Sequence, residues 1–424
     1  MAVTIAIIGA GIRGAEIYGG QIRRRPDLAR VVAVAEPDPI RRGRLAAAHH
    51  VDEARCFPGW SELLAGDRLA DGVIIATPDR EHVAPAVRAA KLGYHILLEK
   101  PVAVDRAGLE LLQRESAASG VTVTVAHVLR YTPFFRTLGE LLAAGRIGRL
   151  LSIQHAENVG YFHFAHSFVR GNWRRQDHAA PMILAKACHD MDLVRWLGGA
   201  PCARVASFGG LSHFRAQNAP PGSTERCTDG CAVERACPYS ALRIYMERFI
   251  YTDDWPISAL TDDPSPAGRL RALREGPYGR CVFRCDNDVA DHQVVALELE
   301  NGVSASLNVC GFTGAITRTV KLMGSEGEIR GHMGLGEIEV RSFLKDRAET
   351  LQVAAEHDGH VGGDQGLMTD FLHRLRRLVD GEPVPDAATS LEQSLDSHYM
   401  ALAAEEARVA GRVVAPVQAT PDRK

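Results

Sequence analysis

The stretch Val3-Thr4-Ile5-Ala6-Ile7-Ile8-Gly9-Ala10-Gly11-Ile12-Arg13-Gly14 decides the fold of the first part of this 424-residue chain. Its first six residues are mostly apolar and rich in β-branched side chains, as in a buried strand. The glycines that follow allow a tight turn and a close approach of backbone N–H groups to a pyrophosphate, and a helix-compatible segment continues to Arg25. Strand, glycine turn and helix together predict a dinucleotide-binding unit.

A second apolar strand, at 31–35, ends in an acidic residue at the place where a ribose would lie. Glu36 stands 22 residues beyond Gly14. A carboxylate here can accept hydrogen bonds from a ribose diol and repels a 2′-phosphate, so NAD is favoured over NADP. Arg41 and Arg42 follow closely and temper that preference.

The alternation of strands and helices continues through the first 126 residues. Strands are predicted at 72–76, 94–98 and 121–125, with helices at about 82–92 and 106–119 between them. This spacing predicts a parallel, doubly wound sheet, in which ligands bind beyond the carboxyl ends of the strands. The predicted cofactor contacts lie at those ends: Gly9, Gly11, Ile12, Arg13, Gly14, Glu36, Thr77, Pro78, His82, Glu99 and Lys100.

A charged helical segment later in the chain carries candidates for proton transfer. On a helix predicted at 181–197, Lys186 and His189 lie one turn apart, with Asp190 and Asp192 placed to orient them or balance their charge. Lys100 could meet this segment across the nucleotide cleft. Two neighbouring ammonium groups lower each other's pKa, which makes a neutral lysine base accessible near neutral pH. The alternative is an amphipathic helix with a solvated charged face.

These motifs resemble those of the Gfo/Idh/MocA family of sugar and cyclitol oxidoreductases. The resemblance rests on the glycine loop, Thr77-Pro78 with His82, Glu99-Lys100-Pro101 and His189-Asp190. It implies an N-terminal Rossmann domain, and a C-terminal domain whose open antiparallel sheet often supports oligomer contacts. The resemblance further implies that the protein is a homo-oligomer.

The same resemblance assigns catalytic residues and shows one departure. Lys100 matches the catalytic lysine of the family, and His189 matches the histidine of its second catalytic motif. The family commonly has an aspartate four residues before that histidine, where this chain has Ala185. Lys186 is the candidate replacement, and Asp190 is expected to hold His189 or offset the charge of the cluster.

We therefore expect an α/β fold: an N-terminal Rossmann doubly wound parallel sheet, and a C-terminal α+β domain with an open, mainly antiparallel sheet. The predicted boundaries are 1–126 for the NAD-binding domain, 127–411 for the substrate and oligomerisation domain and 412–424 for a polar tail. Strands of the second sheet are predicted at 150–159, 203–211, 289–299, 303–312 and 316–324, with a hairpin at Asn301-Gly302. Helices at about 364–379 and 390–408 follow, and the last is expected to pack on the nucleotide domain.

The segment 156–175 mixes aromatic residues with two histidines and three arginines just before the charged helix. Aromatic faces can stack on a pyranose while polar side chains bond its hydroxyls. His163, His166 and Trp173 are the predicted substrate contacts. An equally weighted alternative is a loop whose aromatic residues seal a domain interface.

The nine cysteines divide into two groups. Cys56, Cys188, Cys202 and Cys310 are interpreted as buried thiols. The other five lie in an irregular insertion at 214–286 with little apolar periodicity, where a structural zinc ion could supply order. The preferred ligands are Cys227, Cys231, Cys237 and Cys285 (or Cys281). An iron–sulfur cluster or unligated thiols are the alternatives.

Composition excludes some classes of function. The formal net charge of −3 gives no bulk attraction for nucleic acid, and no apolar run has the length of a membrane span. With no secretory signal, we expect a cytoplasmic protein with no nucleic-acid or membrane partner. Three functions remain open: an NAD-dependent dehydrogenase of a sugar, cyclitol or glycoside, a redox-neutral NAD-dependent glycosidase, and a non-catalytic dinucleotide sensor.

Overall fold

The fold consists of two sheets, each covered by helices. The computed structural model describes residues 2–345, 347–354 and 360–416. A six-stranded sheet lies in the first part of the chain and an eight-stranded sheet in the second. This arrangement confirms the predicted α/β class with a Rossmann sheet and a second, mainly antiparallel one.

The first sheet is entirely parallel, with strand order β3-β2-β1-β4-β5-β6. Its central strands are buried on both faces, which explains why they are nearly continuous apolar runs. The order reverses beside β1, and this opens a cleft at the carboxyl ends of β1 and β4. The strands are β1 Val3–Ile8, β2 Ala29–Ala35, β3 Cys56–Phe57, β4 Gly72–Ile75, β5 His95–Leu98 and β6 Val123–Val125.

Side chains and glycines at their ends define the helices of this domain. Asp38 and Asp105 accept backbone N–H groups at two helix starts, and Gly120 ends one helix in the left-handed conformation. The helical segments are Ile12–Gly19 (π), Gly20–Arg23, Pro39–His49, Glu53–Arg55 (3₁₀), Trp60–Leu63, Asp79–Glu81 (3₁₀), Val83–Lys91 and Arg106–Ser119.

The second sheet has the order β14-β13-β12-β11-β7-β10-β9-β8, and only the β7–β10 pair is parallel. Buried and exposed residues alternate along its strands, so one face packs against helices. The last three strands were not predicted, because their sequence is rich in glycine and charge. The strands are β7 Leu150–Asn158, β8 Cys202–Gly210, β9 His292–Leu299, β10 Ser304–Cys310, β11 Thr317–Gly324, β12 Gly327–His332, β13 Glu337–Ser342 and β14 Ala348–Gln352.

The turn at Asn301-Gly302 joins β9 and β10 as predicted. Gly302 has φ +84°, and Asn301 accepts the Val303 N–H. The helical segments of this domain are Val128–Tyr131 (3₁₀), Pro133–Ala143, Tyr161–Phe164, Ala165–Arg170 (π), Asn172–Arg174 (3₁₀), Met182–Ala185, Cys188–Gly198, Ala216–Asn218 (3₁₀), Glu234–Ala236 (3₁₀), Arg243–Arg248 (π), Ile257–Leu260, Pro266–Glu275, Pro277–Gly279 (3₁₀), Met333–Leu335 (3₁₀), Gly363–Val379 and Leu391–Ala410.

The final helix returns to the nucleotide domain, as predicted. Ser390, at its start, pairs with Thr124 on β6. Further along, the His398 Nε2 atom accepts the Val102 N–H at 2.9 Å. Val414, beyond the helix, pairs with Val205 on β8, so the chain stays packed past residue 412. The rest of the predicted polar tail, 417–424, lies outside the described residues.

Two expectations about local structure are wrong. The predicted helix at 181–197 is broken into two, because Lys186 has φ −100° and Ala187 has φ −97° with ψ 12°. The insertion at 214–286 does have a small core of its own, formed by Ala241, Ile244, Tyr245, Ile257 and Leu273 with Phe162 and Cys227. Across the described part of the chain, no helix combines the length and apolarity needed to cross a membrane.

Candidate active site

The glycine loop forms a cradle at the carboxyl end of β1. A Cβ atom on Gly9 would lie 2.5 Å from the Ala76 carbonyl oxygen, and one on Gly14 would lie 1.9 Å from the Gly9 carbonyl oxygen. A Cβ on Gly11 would meet no atom within 4 Å, so the loop faces open space there. The helical segment Ile12–Gly19 begins at this point. The loop therefore fits a dinucleotide pyrophosphate.

Glu36 lies beside this loop at the end of β2. Its carboxylate accepts the Ala10 N–H at 2.7 Å and the Asp38 N–H at 3.0 Å. Each carboxylate oxygen can accept a further hydrogen bond, so the predicted contact with a ribose diol remains open. Arg42 directs its guanidinium at the Glu36 and Pro37 carbonyl oxygens.

Arg13 and Glu99, both predicted to contact the cofactor, bind one another. Arg13 Nε lies 2.5 Å from Glu99 Oε1, and its Nη2 lies 2.7 Å from Asp364 Oδ1 and 2.6 Å from the Tyr18 hydroxyl. Burial raises the pKa of Glu99, but the charges of Arg13 and Lys100 outweigh it and lower that pKa. These side chains tie the glycine loop to the helix Gly363–Val379.

His82 connects the two turns that flank the cleft. Its Nδ1 lies 2.6 Å from the Pro101 carbonyl oxygen and its Nε2 lies 2.9 Å from the Thr77 carbonyl oxygen. The Thr77 hydroxyl donates to the Glu81 carbonyl oxygen. Because both ring nitrogens of His82 face backbone carbonyls, this residue shapes the Thr77-Pro78 turn.

Lys100 reaches the break between the two helices near residue 186. Its Nζ donates to the Ala185 carbonyl oxygen at 2.8 Å. The predicted meeting of the Lys100 segment with the segment of Lys186 and His189 therefore exists in the structure. An ammonium group has three donors, so Lys100 keeps two for another ligand.

Lys186 belongs to a buried network of alternating charges. Its Nζ lies 3.3 Å from Glu157 Oε1 on β7, and Arg318 on β11 pairs with Glu157 at 2.5 Å. Burial lowers the pKa of Lys186, helped by the charges of Arg318 and Lys100 and opposed by Glu157. Glu157 and Arg318 were missed by the sequence analysis, because they lie on strands far from any motif and face the cleft only after the sheet forms.

The contacts of Asp190 favour the second of its two predicted roles, which is to offset the charge of the cluster. Its carboxylate binds Arg318 Nε and His155 Nε2, each at 2.7 Å. Burial raises the pKa of Asp190, but Arg318 and His155 outweigh it and hold that pKa far below its usual range. Asp190 therefore anchors the helix to the sheet. Asp192 likewise forms a two-point ion pair with Arg130.

His189 lies in a cluster of imidazoles. Its ring centroid is 5.6 Å from that of His127 and 6.3 Å from that of His360. Burial lowers the pKa of His189 well below its usual value, and the charge of Lys100 adds to this effect. Its Nδ1 has no hydrogen-bond partner among the described residues. His189 is thus neutral near pH 7, and its unpartnered Nδ1 is buried. His127 and His360 gave no sequence signal, since neither lies in a motif.

The three predicted substrate residues lie in different surroundings. The Trp173 indole N–H donates to Asp79 Oδ2 at 3.0 Å, and Asp79 lies close enough to Lys100 for that charge to act on its pKa. His163 lies near Lys186, whose charge adds to burial in lowering the pKa of His163. His166 is buried against the insertion, with Nδ1 2.7 Å from the Tyr245 hydroxyl. The position of His166 supports the sealing role rather than substrate contact.

Four thiols of the insertion line one cavity of about 20 Å³: Cys227, Cys231, Cys237 and Cys281. Cys285 is not among the lining residues and donates to the Cys281 carbonyl oxygen, so of the two predicted choices for a fourth ligand Cys281 is the one that lines the cavity. The buried Arg170 approaches the cavity, with Nη2 3.8 Å from Cys227 Sγ. Burial raises the pKa of Cys237 and of Cys281, so both are neutral thiols here. The donor set suits a thiolate-bound metal, yet among the described residues these side chains do not form a group of three or more arranged to hold an ion.

The fold and the cleft define a Rossmann oxidoreductase with a second, sheet-bearing domain. Residues 3–127 match the family model for the oxidoreductase family with an NAD-binding Rossmann fold, and residues 139–391 match that for the C-terminal α/β domain of the same family. The chain therefore belongs to the Gfo/Idh/MocA family of NAD-dependent oxidoreductases, which confirms the resemblance drawn from its motifs.

Relatives and solved structures agree with this assignment. The chain is 26% identical to YteT of Bacillus subtilis over 71% of this chain and 72% of that protein. It is 31% identical to inositol 2-dehydrogenase 4 of Saccharopolyspora erythraea over 52% of this chain and 60% of that enzyme, so it spans little more than half of that relative. A levoglucosan dehydrogenase in complex with NADH and levoglucosan has the same fold, with a TM-score of 0.71, 17% identity, and coverage of 99% and 100% of the two chains.

Proposed function

We propose that this protein oxidises a hydroxyl group of a sugar, cyclitol or glycoside, with NAD+ as the hydride acceptor. The observation that carries the proposal is the meeting of Lys100, Lys186 and His189 at the carboxyl ends of the Rossmann strands, beside the glycine cradle. The inositol dehydrogenases among its relatives and the levoglucosan dehydrogenase of the same fold support this substrate class.

Each side chain has a distinct task in the proposed reaction. Lys100, anchored on the Ala185 carbonyl, uses its remaining N–H donors to hold the substrate oxygen and stabilise the charge that develops on it. His189, which is neutral, accepts the proton of the hydroxyl group while the C–H hydride leaves. Lys186 stays paired with Glu157 and supplies a second positive charge at the cleft.

A redox-neutral reaction on a glycoside is the second candidate. Among the relatives is a 2,7-anhydro-N-acetylneuraminate hydratase of Mediterraneibacter gnavus, 28% identical over 50% of this chain and 54% of that enzyme. Oxidation to a ketone acidifies the neighbouring C–H bond, so the glycosidic group can be eliminated, water added and the hydride returned. This sequence needs an additional acid or base, and Lys186, with its lowered pKa, is the candidate.

The functions are separated by incubating the protein with NAD+ and a panel of polyols, sugars and glycosides. A dehydrogenase accumulates NADH in proportion to the oxidised product. A redox-neutral enzyme releases aglycone with only catalytic NAD+. If neither NADH nor aglycone forms while the protein still binds the nucleotide, the protein is the non-catalytic sensor and the proposal is contradicted.

We further propose that the four thiols around the cavity bind a structural zinc ion. Two chain segments bring soft ligands to one small space, and the buried guanidinium of Arg170 would offset part of the negative charge of a tetrathiolate site. A metal would close these side chains around itself and lower their pKa. An iron–sulfur cluster bound by the same four cysteines remains the alternative.

We also propose a homo-oligomer that uses the open face of the second sheet. Phe208 on β8 is 73% exposed, and Val294, its partner on β9, adds further apolar area to that face. Exposed apolar patches of this kind mark interaction surfaces. Light scattering on Phe208→Glu, which should shift the protein toward monomer, tests the interface. The predicted cytoplasmic location stays a prediction.

A further inference from the structure

The insertion at 214–286 extends from its thiol-rich base to the nucleotide domain. Asp262 Oδ1 lies 2.7 Å from Arg44 Nη1, an exposed pair that contributes little energy but places the two segments side by side. Asp254 lies near Glu16, in the helical segment after the glycine loop. Burial and the charge of Asp254 together raise the pKa of Glu16. The insertion therefore approaches the helical segments Ile12–Gly19 and Pro39–His49 of the nucleotide domain.

One buried arginine orders the outer loop of the insertion. The guanidinium of Arg269, 4% exposed, donates to four backbone carbonyls: those of Tyr245, Phe249, Thr252 and Pro264. These bonds satisfy carbonyl groups that irregular backbone would otherwise leave unpaired. The loop that precedes the helix Ile257–Leu260 is therefore held in one conformation without a strand or long helix.

This loop brings Trp255 to the substrate domain. The indole ring centroid lies 4.8 Å from that of His163 and 5.4 Å from that of His166, edge-on in both cases. His163 is the residue whose pKa is lowered by the charge of Lys186, so one imidazole separates Trp255 from the Lys186 ammonium group. Trp255 is only half-buried. Trp255 also packs on the core of the insertion, with its ring centroid 6.2 Å from that of Phe162, and part of this large, rigid apolar ring stays exposed.

We propose that the insertion forms the outer wall of the substrate cleft and that Trp255 determines specificity by packing against the C–H face of the substrate ring. Sugars and cyclitols present such an apolar face beside their hydroxyl groups, and an indole covers it at low cost in side-chain entropy. The proposal rests on the proposed function for its substrate class. Its ligand is a six-membered polyol ring, with the hydroxyls directed at Lys100 and Lys186.

The test compares Trp255→Ala and Trp255→Phe with a matched control in the same loop. Tyr251 is 99% exposed, so Tyr251→Ala removes an aromatic ring that contacts no wall. With myo-inositol and levoglucosan as probes, Trp255→Ala should raise KM by roughly 10-fold or more and change the preference between the probes, the scale of a lost apolar contact in a substrate pocket. Trp255→Phe should retain most of the affinity, and Tyr251→Ala should match the unmodified protein. Unchanged KM and preference in Trp255→Ala would overturn the proposal.

A second measurement, which needs no catalytic turnover, tests whether the insertion forms this wall. Acrylamide quenching of bound NADH fluorescence should increase in Trp255→Ala and stay constant in Tyr251→Ala, because removal of the wall admits the quencher. Unchanged quenching, or an equal loss of NADH binding in both variants, contradicts the wall. If neither probe is oxidised, the quenching result alone decides the position of the insertion, and the oxidoreductase proposal is decided separately by the panel of polyols, sugars and glycosides.

Discussion

At the scale of single residues, the cleft holds two kinds of nitrogen base in different electrostatic surroundings. Lys100 is anchored by a carbonyl, whereas His189 is buried with an unpaired Nδ1. The sequence identified both, because each lies in a short motif at a predicted strand or helix end. It could not place Glu157, Arg318 or Asp79, since their proximity to the cleft depends on pairing between distant strands and on packing between domains.

Replacement of Lys100 tests its role most simply. Lys100→Met should lower turnover by at least ~100-fold, the scale of lost acid, base or charge catalysis, while NADH binding is retained. Lys91→Met is the matched control, because Lys91 is exposed and pairs only with Glu115 on the surface. Normal turnover in Lys100→Met would remove this residue from the mechanism.

The pH dependence of activity tests His189 as the base. A base works when neutral, so kcat/KM should fall only as the pH drops through the pKa of His189, which burial and Lys100 place below 6.5. The profile measured between pH 5 and 8 should therefore be flat from neutrality down to about 6.5. His189→Gln should abolish the acid limb along with most activity. An acid limb centred above 6.5 in the unmodified protein contradicts this assignment.

Among the secondary-structure elements, the break in the predicted helix at 181–197 could not be predicted from the local sequence pattern. The charge spacing around His189 suits one continuous helix, but Lys186 turns to Glu157 on β7, and Lys100 donates to the Ala185 carbonyl at the break. Both contacts come from other parts of the chain. The strands of the Rossmann sheet, by contrast, were predictable, because burial on both faces leaves an unbroken apolar run.

The thiol cavity gives the insertion a second testable property. Cys231→Ser should reduce zinc content and make residues 214–286 sensitive to proteolysis before it affects NADH binding, because a closed thiolate site contributes folding energy. Cys285→Ser is the matched control, since Cys285 lies outside the cavity. Elemental analysis of protein purified without added metal decides between zinc and an iron–sulfur cluster, because iron with acid-labile sulfide indicates the cluster. Less than ~0.1 metal per chain contradicts both, because a tight structural site is nearly filled.

At the scale of the whole molecule, buried neutral histidines couple stability to pH. Burial is the main cause that lowers the pKa of His127 to about 4 and of His166 and His398 to about 3, and it also lowers that of His189. All four should take up protons on unfolding below about pH 6.5, the value of an exposed imidazole. Stability is therefore complete above that pH and decreases as the pH falls toward the folded-state values.

Urea unfolding between pH 8 and 5 measures this linkage. Below pH 6.5, each of the four histidines should contribute at most about 1.4 kcal/mol per pH unit to the slope of the unfolding free energy against pH. His127→Gln should remove one such contribution. Asp79 and Glu16, whose pKa values are raised mainly by burial, act in the opposite direction. A free energy of unfolding that stays constant from pH 8 to 5 contradicts the burial of neutral histidines.

The secondary structure of the two domains was predictable from the sequence to different degrees. The Rossmann half is defined by local motifs, whereas three strands of the second sheet and the placement of the insertion depend on long-range packing. The sequence predicted that the last helix packs on the nucleotide domain, but not where. Its contact through His398 and Val102 follows from the tertiary fold.

The chemistry claimed for this cleft is that a substrate C–H hydride leaves toward a nicotinamide while His189 takes the hydroxyl proton. Its most direct test uses the polyol or glycoside with the highest turnover, deuterated at the carbinol carbon, in a single turnover with the NAD+-loaded protein. We expect deuterium to be recovered in the nicotinamide ring of the NADH formed, and Lys100→Met not to yield it at a comparable rate. A product formed with no deuterium on the nicotinamide would contradict the claim.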